Sequence, residues 1–234
     1  MFLVMFDVDG TLVIGNVIDD VCFSEAIKEV LGVSQIDTDW SHYSNVTDSG
    51  ITSEIIKKHL FKRATEDDIN SVRRSYLSRL QDEIGRNPNS FRATLGAKEL
   101  ITALLSEDDV FVSMATGSWR DSALLKLRTV GFLFDNIPIA SSDDAHKRES
   151  ILRKSYDFAI ANAGCEEFQS VLYIGDHPRD YVNSRKLGYD FIGIGSGNQA
   201  ERLRHAGAKQ VKPDFAERDY FLKILDIARQ TEMR

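Results

Sequence analysis

The chain has 234 residues, with 36 Asp and Glu against 29 Lys and Arg and a formal net charge of −7. This acidic balance, with no run of basic residues interleaved with aromatics, excludes a non-specific nucleic-acid binder. No stretch approaches the ~20 apolar residues of a membrane span. The length and the 42% hydrophobic content suit one α/β core with a smaller inserted domain. Cys22 and Cys165 stand far apart in no CxxC pattern and are expected as reduced thiols. The apolar run ahead of Asp7 is too short for a signal-peptide core, and no positive region precedes it, so the expected compartment is the cytoplasm.

In chain order, Phe2 to Phe6 is an apolar run short enough to be a buried parallel strand. Ile18, Val21, Cys22, Ile27, Val30 and Leu31 then recur at helical spacing, with Gly32 as a stop. A second helix is predicted over 51–61. Thr65 with Asp68 has the form of a capping box, and Ile69, Val72, Tyr76, Leu77 and Leu80 mark one face of a third helix. Turn formers over 86–90 end it. Strand and helix then alternate: strand 110–114, helix 119–130, strand 137–140, helix 148–163, strand 171–174, helix 178–187 and strand 191–194. Two last helices are expected over 199–205 and 217–229. Such alternation predicts an α/β, Rossmann-like parallel sheet with helices on both faces. The helical stretch after strand one is then an inserted α-helical cap, with the core at 1–14 and 91–234 and the cap at 15–90.

The strongest chemical signal is Asp7-Val8-Asp9-Gly10-Thr11-Leu12, directly after the first strand. Ligands of open α/β sheets bind outside the carboxyl ends of the strands. Two carboxylates on the loop leaving a buried strand need a counter-ion, and a hard cation such as Mg²⁺ supplies one. Gly10 lets the backbone turn sharply. The segment Met114-Ala115-Thr116-Gly117-Ser118 also ends a strand; its hydroxyls and exposed amides suit a phosphate group, although a bare helix cap reads the same way. His146-Lys147-Arg148 opens a helix and offers a cation, or simply a solvated helix start. Gly175-Asp176-His177-Pro178-Arg179-Asp180 follows another apolar strand, with Asp176 in the loop and Asp180 in the first helical turn after Pro178.

Together these four segments resemble the motifs of the haloacid dehalogenase (HAD) superfamily, in the branch with a helical C1-type cap that includes phosphoglycolate-phosphatase-like members. The resemblance covers the whole chain in order and spacing. It implies that Asp7 is the nucleophile and forms an aspartyl-phosphate, with Asp9 as general acid and then base. It further implies that Mg²⁺ is held by the Asp7 carboxylate, the Asp9 carbonyl and Asp176, supported by Asp180. Gly10, Thr116, the Gly117 amide and a cation would bind the phosphoryl group. Lys147 is the first choice for that cation, with Arg148 as the alternative, because the Lys-Pro pair common in such relatives is replaced here by His-Lys-Arg-Glu. The implied activity is a Mg²⁺-dependent phosphohydrolase acting on a small phosphorylated metabolite. A phosphomutase with the same motifs and a non-catalytic phospho-ligand binder are the alternatives.

Substrate choice is expected to lie in the cap. Its loop over 43–50, with Asn45, Thr47 and Asp48, is dense in small polar groups and is expected to close over the site, or else to be an ordinary helix connection. His42, His59 and His205 show no zinc-ligand spacing, and Trp40 and Trp119 read as packing residues. Neither nucleic-acid nor membrane partners are expected.

Overall fold

The computed structural model describes residues 1–134 and 136–232, with side chains of the last helix described as far as Leu225. Six parallel strands form the sheet in the order β5-β4-β1-β6-β7-β8. They are β1 (Phe2–Phe6), β4 (Val110–Ala115), β5 (Ile139–Ala140), β6 (Ser170–Gly175), β7 (Asp190–Ile194) and β8 (Val211–Lys212). The central strand β1 pairs in register with both neighbours, Phe6 lying opposite Met114 on one side and Ile174 on the other. A strand buried on both faces should be apolar throughout, which is how its five residues read. Phe2, Val4 and Phe6 pack into one core, and Leu3 and Met5 into the other.

Helices cover both faces. On the first lie α4 (Ala97–Leu105), α5 (Arg120–Thr129) and α9 (Arg218–Glu232); on the second, α6 (Arg148–Ala163), α7 (Pro178–Lys186) and α8 (Gly197–His205). The chain runs outward from β1 through β4 to β5, then returns to β6 on the far side of β1. That reversal opens the crevice of a doubly wound sheet beside the carboxyl end of β1, where Asp7 stands.

A short antiparallel ribbon, β2 (Val13–Ile14) with β3 (Arg92–Ala93), closes the neck of the inserted segment. Between its strands lie α1 (Asn16–Leu31), α2 (Asp48–Leu60) and α3 (Glu66–Arg86). Gly32 ends α1 in the left-handed conformation, with φ 65°. Thr65 and Asp68 form a reciprocal capping box at the start of α3. Helices α1 and α3 pack through Phe23 and Ile27 against Val72, Tyr76 and Leu80.

No element is expected over 91–109, yet α4 forms there behind Gly96, burying Leu100, Ile101 and Leu104. The two-residue strands β2, β3 and β8 are too short to leave a periodic signal. The expected loop over 43–50 is shorter: Thr47 caps α2, so Asp48, Ser49 and Gly50 are already helical. No helix among the described residues is long and apolar enough to cross a membrane.

On α1, Ile27 is fully buried while Val17 is 78% exposed. Urea denaturation should therefore show Ile27→Ala costing about 2–5 kcal/mol and Val17→Ala changing stability by no more than about 0.5 kcal/mol.

Candidate active site

Asp7 lies one residue past β1, and its amide donates to the Ile174 carbonyl at 2.9 Å, which fixes it against β6. Its carboxylate takes the Arg148 guanidinium on one oxygen and the Thr11 hydroxyl, at 3.2 Å, on the other. Asp176 follows β6 and Asp180 sits in the first turn of α7, where it accepts from the His177 amide. Ligand oxygens of Asp7, Asp176 and Asp180 all lie within 4.8 Å of one another, and all three residues are buried.

Gly10 makes this convergence possible. Its φ is 81°, and a Cβ there would come within 2.2 Å of the Asp176 carboxylate. The same turn sends Asp9 the other way. One Asp9 oxygen accepts from the Ser118 hydroxyl at 2.8 Å and the other pairs with Lys126 at 2.7 Å. The Asp9 carboxylate therefore stands apart from the acid cluster, so a part for Asp9 in holding metal falls to its carbonyl.

Arg148 is the cation that the fold brings to Asp7. Its guanidinium also donates to Asp180 at 2.9 Å and to the Tyr173 hydroxyl at 2.7 Å. Lys147, the first choice from sequence, caps α6, is exposed and lines the same cavity without reaching Asp7. Helical phase explains the difference. Arg148 shares the inner face of α6 with Ile151, Leu152 and Ser155, three, four and seven residues on, and Lys147 falls off that face.

Thr116 is buried at the end of β4 and accepts from the Ser118 amide at 3.1 Å, which leaves its hydroxyl hydrogen for an anion. Gly117 lets the inserted segment come close: a Cβ there would sit 3.1 Å from the Val46 carbonyl. The Gly117 carbonyl accepts from the Asp48 amide at 2.9 Å. Asp48 in turn accepts from the Trp119 amide, and the Thr47 hydroxyl donates to the His146 carbonyl. Thr47 and Asp48 thus dock α2 on the core, while Asn45 lines the cavity beside them. The cavity measures about 500 Å³, with the carboxylates on its floor and Phe23, Trp40 and Tyr76 among its walls. A larger one of about 1010 Å³ lies behind Ser49 and Trp119, away from the acid cluster.

Burial pushes the Asp7 carboxyl up to about 7, against the pull of Arg148. It also holds Asp176 well above the usual carboxylate range, with the charges of Asp7 and Asp180 adding to the effect. The Asp176 carboxylate accepts from the Gln199 amide at 2.7 Å, a neutral donor. Three buried acids around a single guanidinium are short of positive charge. A hard divalent cation with oxygen ligands fits that deficit.

Several contacts of the candidate site are not expected from sequence: Ser118 and Lys126 on Asp9, Tyr173 on Arg148, and Gln199 on Asp176. Lys126 had a signal, since it falls on the apolar face of α5 between Ala123 and Leu127.

The model of the haloacid dehalogenase-like hydrolases matches residues 4–194. The chain belongs to that family. Among solved structures, this hydrolase is similar to one from Pseudomonas syringae described only as a hydrolase. That match has 19% identity and a TM-score of 0.70, covering 97% of this chain and 98% of the other. It is also similar to CbbY from Rhodobacter sphaeroides in complex with phosphate, at 19% identity and TM-score 0.66, covering 92% and 95%. A protein from Haemophilus somnus described as a predicted phosphoglycolate phosphatase shares 20% identity at TM-score 0.63, covering 95% and 97%. At such identities the likeness carries the fold alone. No curated protein matches the chain.

The Asp7 shift has a stability consequence in this hydrolase. An unfolded Asp loses its proton near 3.8 and the folded Asp7 near about 7, so the native state holds the extra proton between those values. Metal-free stability drawn from this group therefore falls as pH rises through that window. In urea denaturation with a chelator, Asp7→Asn should gain on wild type between about pH 4 and about pH 7, and Mg²⁺ should stabilise wild type most at the upper end. A pH-independent difference between the two proteins would contradict this origin of the shift.

Proposed function

We propose that this hydrolase is a Mg²⁺-dependent phosphatase that cleaves a small phosphorylated metabolite through an acyl phosphate on Asp7. The observation that carries the reading is the divergence of Asp7 and Asp9, two residues apart on one turn. One carboxylate joins Arg148 and the acid cluster; the other is held by a hydroxyl and an ammonium on the opposite side. Two carboxylates in unlike surroundings suit a nucleophile and a separate acid/base group.

In the first step an Asp7 oxygen attacks phosphorus and the bond to the leaving oxygen breaks, with Asp9 delivering a proton to that oxygen. In the second, Asp9 takes a proton from a water that attacks the same phosphorus, and the Asp7 carboxylate departs. Arg148, the Thr116 hydroxyl and the Gly117 amide would meet the phosphoryl oxygens. The carboxylates of Asp7 and Asp176, with the Asp9 carbonyl, would hold Mg²⁺, supported by Asp180; the ion supplies positive charge against the phosphoryl oxygens. Of the two third-motif candidates we favour Arg148, on its contact with Asp7.

The cavity of about 500 Å³ suits a metabolite better than a polymer, and the net charge of −7 argues against nucleic acid. Asn45 is our candidate for a leaving-group contact, with Thr47 and Asp48 fixing its loop. Cys22 and Cys165 are free thiols, which suits the cytoplasm as the compartment.

Phosphate release from a panel of phosphate monoesters tests the proposal. Wild type should release phosphate only with Mg²⁺, Asp9→Asn should fall by about 10²–10⁴, and Asp7→Asn should be silent. Release by Asp7→Asn at the wild-type rate would overturn it. A phosphoryl group that moves to another hydroxyl without release would identify a mutase, and binding without turnover a phospho-ligand binder.

A further inference from the structure

Lys126 sits on the inner face of α5 and is 0% exposed. A lysine is almost never fully buried unless its charge is paired. Its ammonium reaches Asp9 at 2.7 Å, Asp19 at 2.9 Å and the Ser118 hydroxyl at 3.4 Å, so its three protons have three acceptors. Burial alone would depress its pKa, but Asp19, Asp9 and Asp48 more than offset that and hold it above its ordinary value.

The partners come from different parts of the chain. Asp9 belongs to the turn after β1, and Asp19 to α1 of the inserted segment, where its second oxygen accepts from the Tyr76 hydroxyl of α3. Asp9 and Asp19 line the cavity, and Lys126 stands behind them. A buried ion pair is weak evidence for stability, because an apolar side chain of similar volume often does as well. What an apolar residue could not do is grip the Asp9 carboxylate. With Lys126 on one oxygen and Ser118 on the other, that carboxylate has no free rotation.

We infer that Lys126 is a positioning residue for Asp9, and that Asp19 makes this grip depend on the inserted helices being seated on the core. The inference rests on the acid role proposed for Asp9. It assigns Lys126 no contact with substrate.

Two aryl esters separate this role from a merely structural one. Phenyl phosphate has a leaving group that needs a proton, whereas 2,4-dinitrophenyl phosphate releases a stable anion. The quantity to read is kcat/KM with Mg²⁺, which ends at formation of the acyl phosphate and so leaves out the later use of Asp9 as base. Lys126→Met should lower kcat/KM for phenyl phosphate about tenfold or more beyond its effect on the dinitrophenyl ester. Asp19→Asn should move the ratio the same way by a smaller factor, and Lys126→Arg should restore part of it. In an Asp9→Asn background, Lys126→Met should add almost nothing to the ratio. Thermal unfolding checks that each variant folds, and Asp19→Asn carries the comparison if Lys126→Met does not. Equal losses on both esters, or a ratio unchanged in Asp19→Asn and Lys126→Met, would overturn the inference alone. A wild type inactive on both esters would contradict the reading of the site and take this inference with it.

Discussion

Where the first strand leaves the sheet, three carboxylates of the core and one from the inserted helices pair with two cations held inside the site, Arg148 and Lys126, and Asp176 lies beside the first of them. Little solvent reaches them, so each charge must be met by a neighbour held in place by the fold. The rest of the architecture follows from that requirement. Strand β1 lies between β4 and β6, so the ends of all three deliver their loops to one point. Helix α6 begins with Arg148 turned inward, and Gly10 gives up its side chain so that Asp176 can come close.

The same requirement divides the site in two. On one side, Asp7 and Asp180 share Arg148 with Asp176 clustered beside them, and the three acids remain short of positive charge. On the other, Asp9 and Asp19 share Lys126, the acid of the core being tied through it to the acid of α1. Chemistry that needs both a nucleophile and a proton carrier within one small cavity is served by such a division. The inserted segment closes over both sides. Its contacts with the core run from the Asp48 amide on Gly117, through Trp119 on Ser49, to Arg73 on Asp121 and Asp143. Phe23 and Tyr76 of the inserted helices and Trp119 of the core pack against one another edge to face or tilted, adding an apolar contact to that seam.

Much of this was legible in the chain itself, and the boundary is physical. Asp7, Asp9, Asp176 and Asp180 each follow an apolar run ended by a glycine-containing turn, a local pattern that needs no knowledge of distant residues. The alternation of strands and helices after residue 110 is local in the same sense, and the expected α6 coincides with the observed one. Arg148 over Lys147 was within reach, because the apolar spacing of α6 extended back one turn selects Arg148. Tyr173, Gln199 and Asp19 were not: each acts across the fold, and nothing within a few residues of it announces the partner. Helix α4 was legible as well, since Ala97, Leu100, Ile101 and Leu104 recur at helical spacing and form its buried face against β4.

The central claim is that Asp7 becomes covalently phosphorylated. The most direct measurement is to mix the enzyme with Mg²⁺ and a phosphate ester it hydrolyses, quench within a single turnover, and reduce with labelled borohydride, which converts an acyl phosphate to an alcohol. Peptide mapping should then place the label on residue 7 of wild type, with none in Asp7→Asn. Turnover by wild type with no label at residue 7, or with label on another carboxylate, would contradict the account.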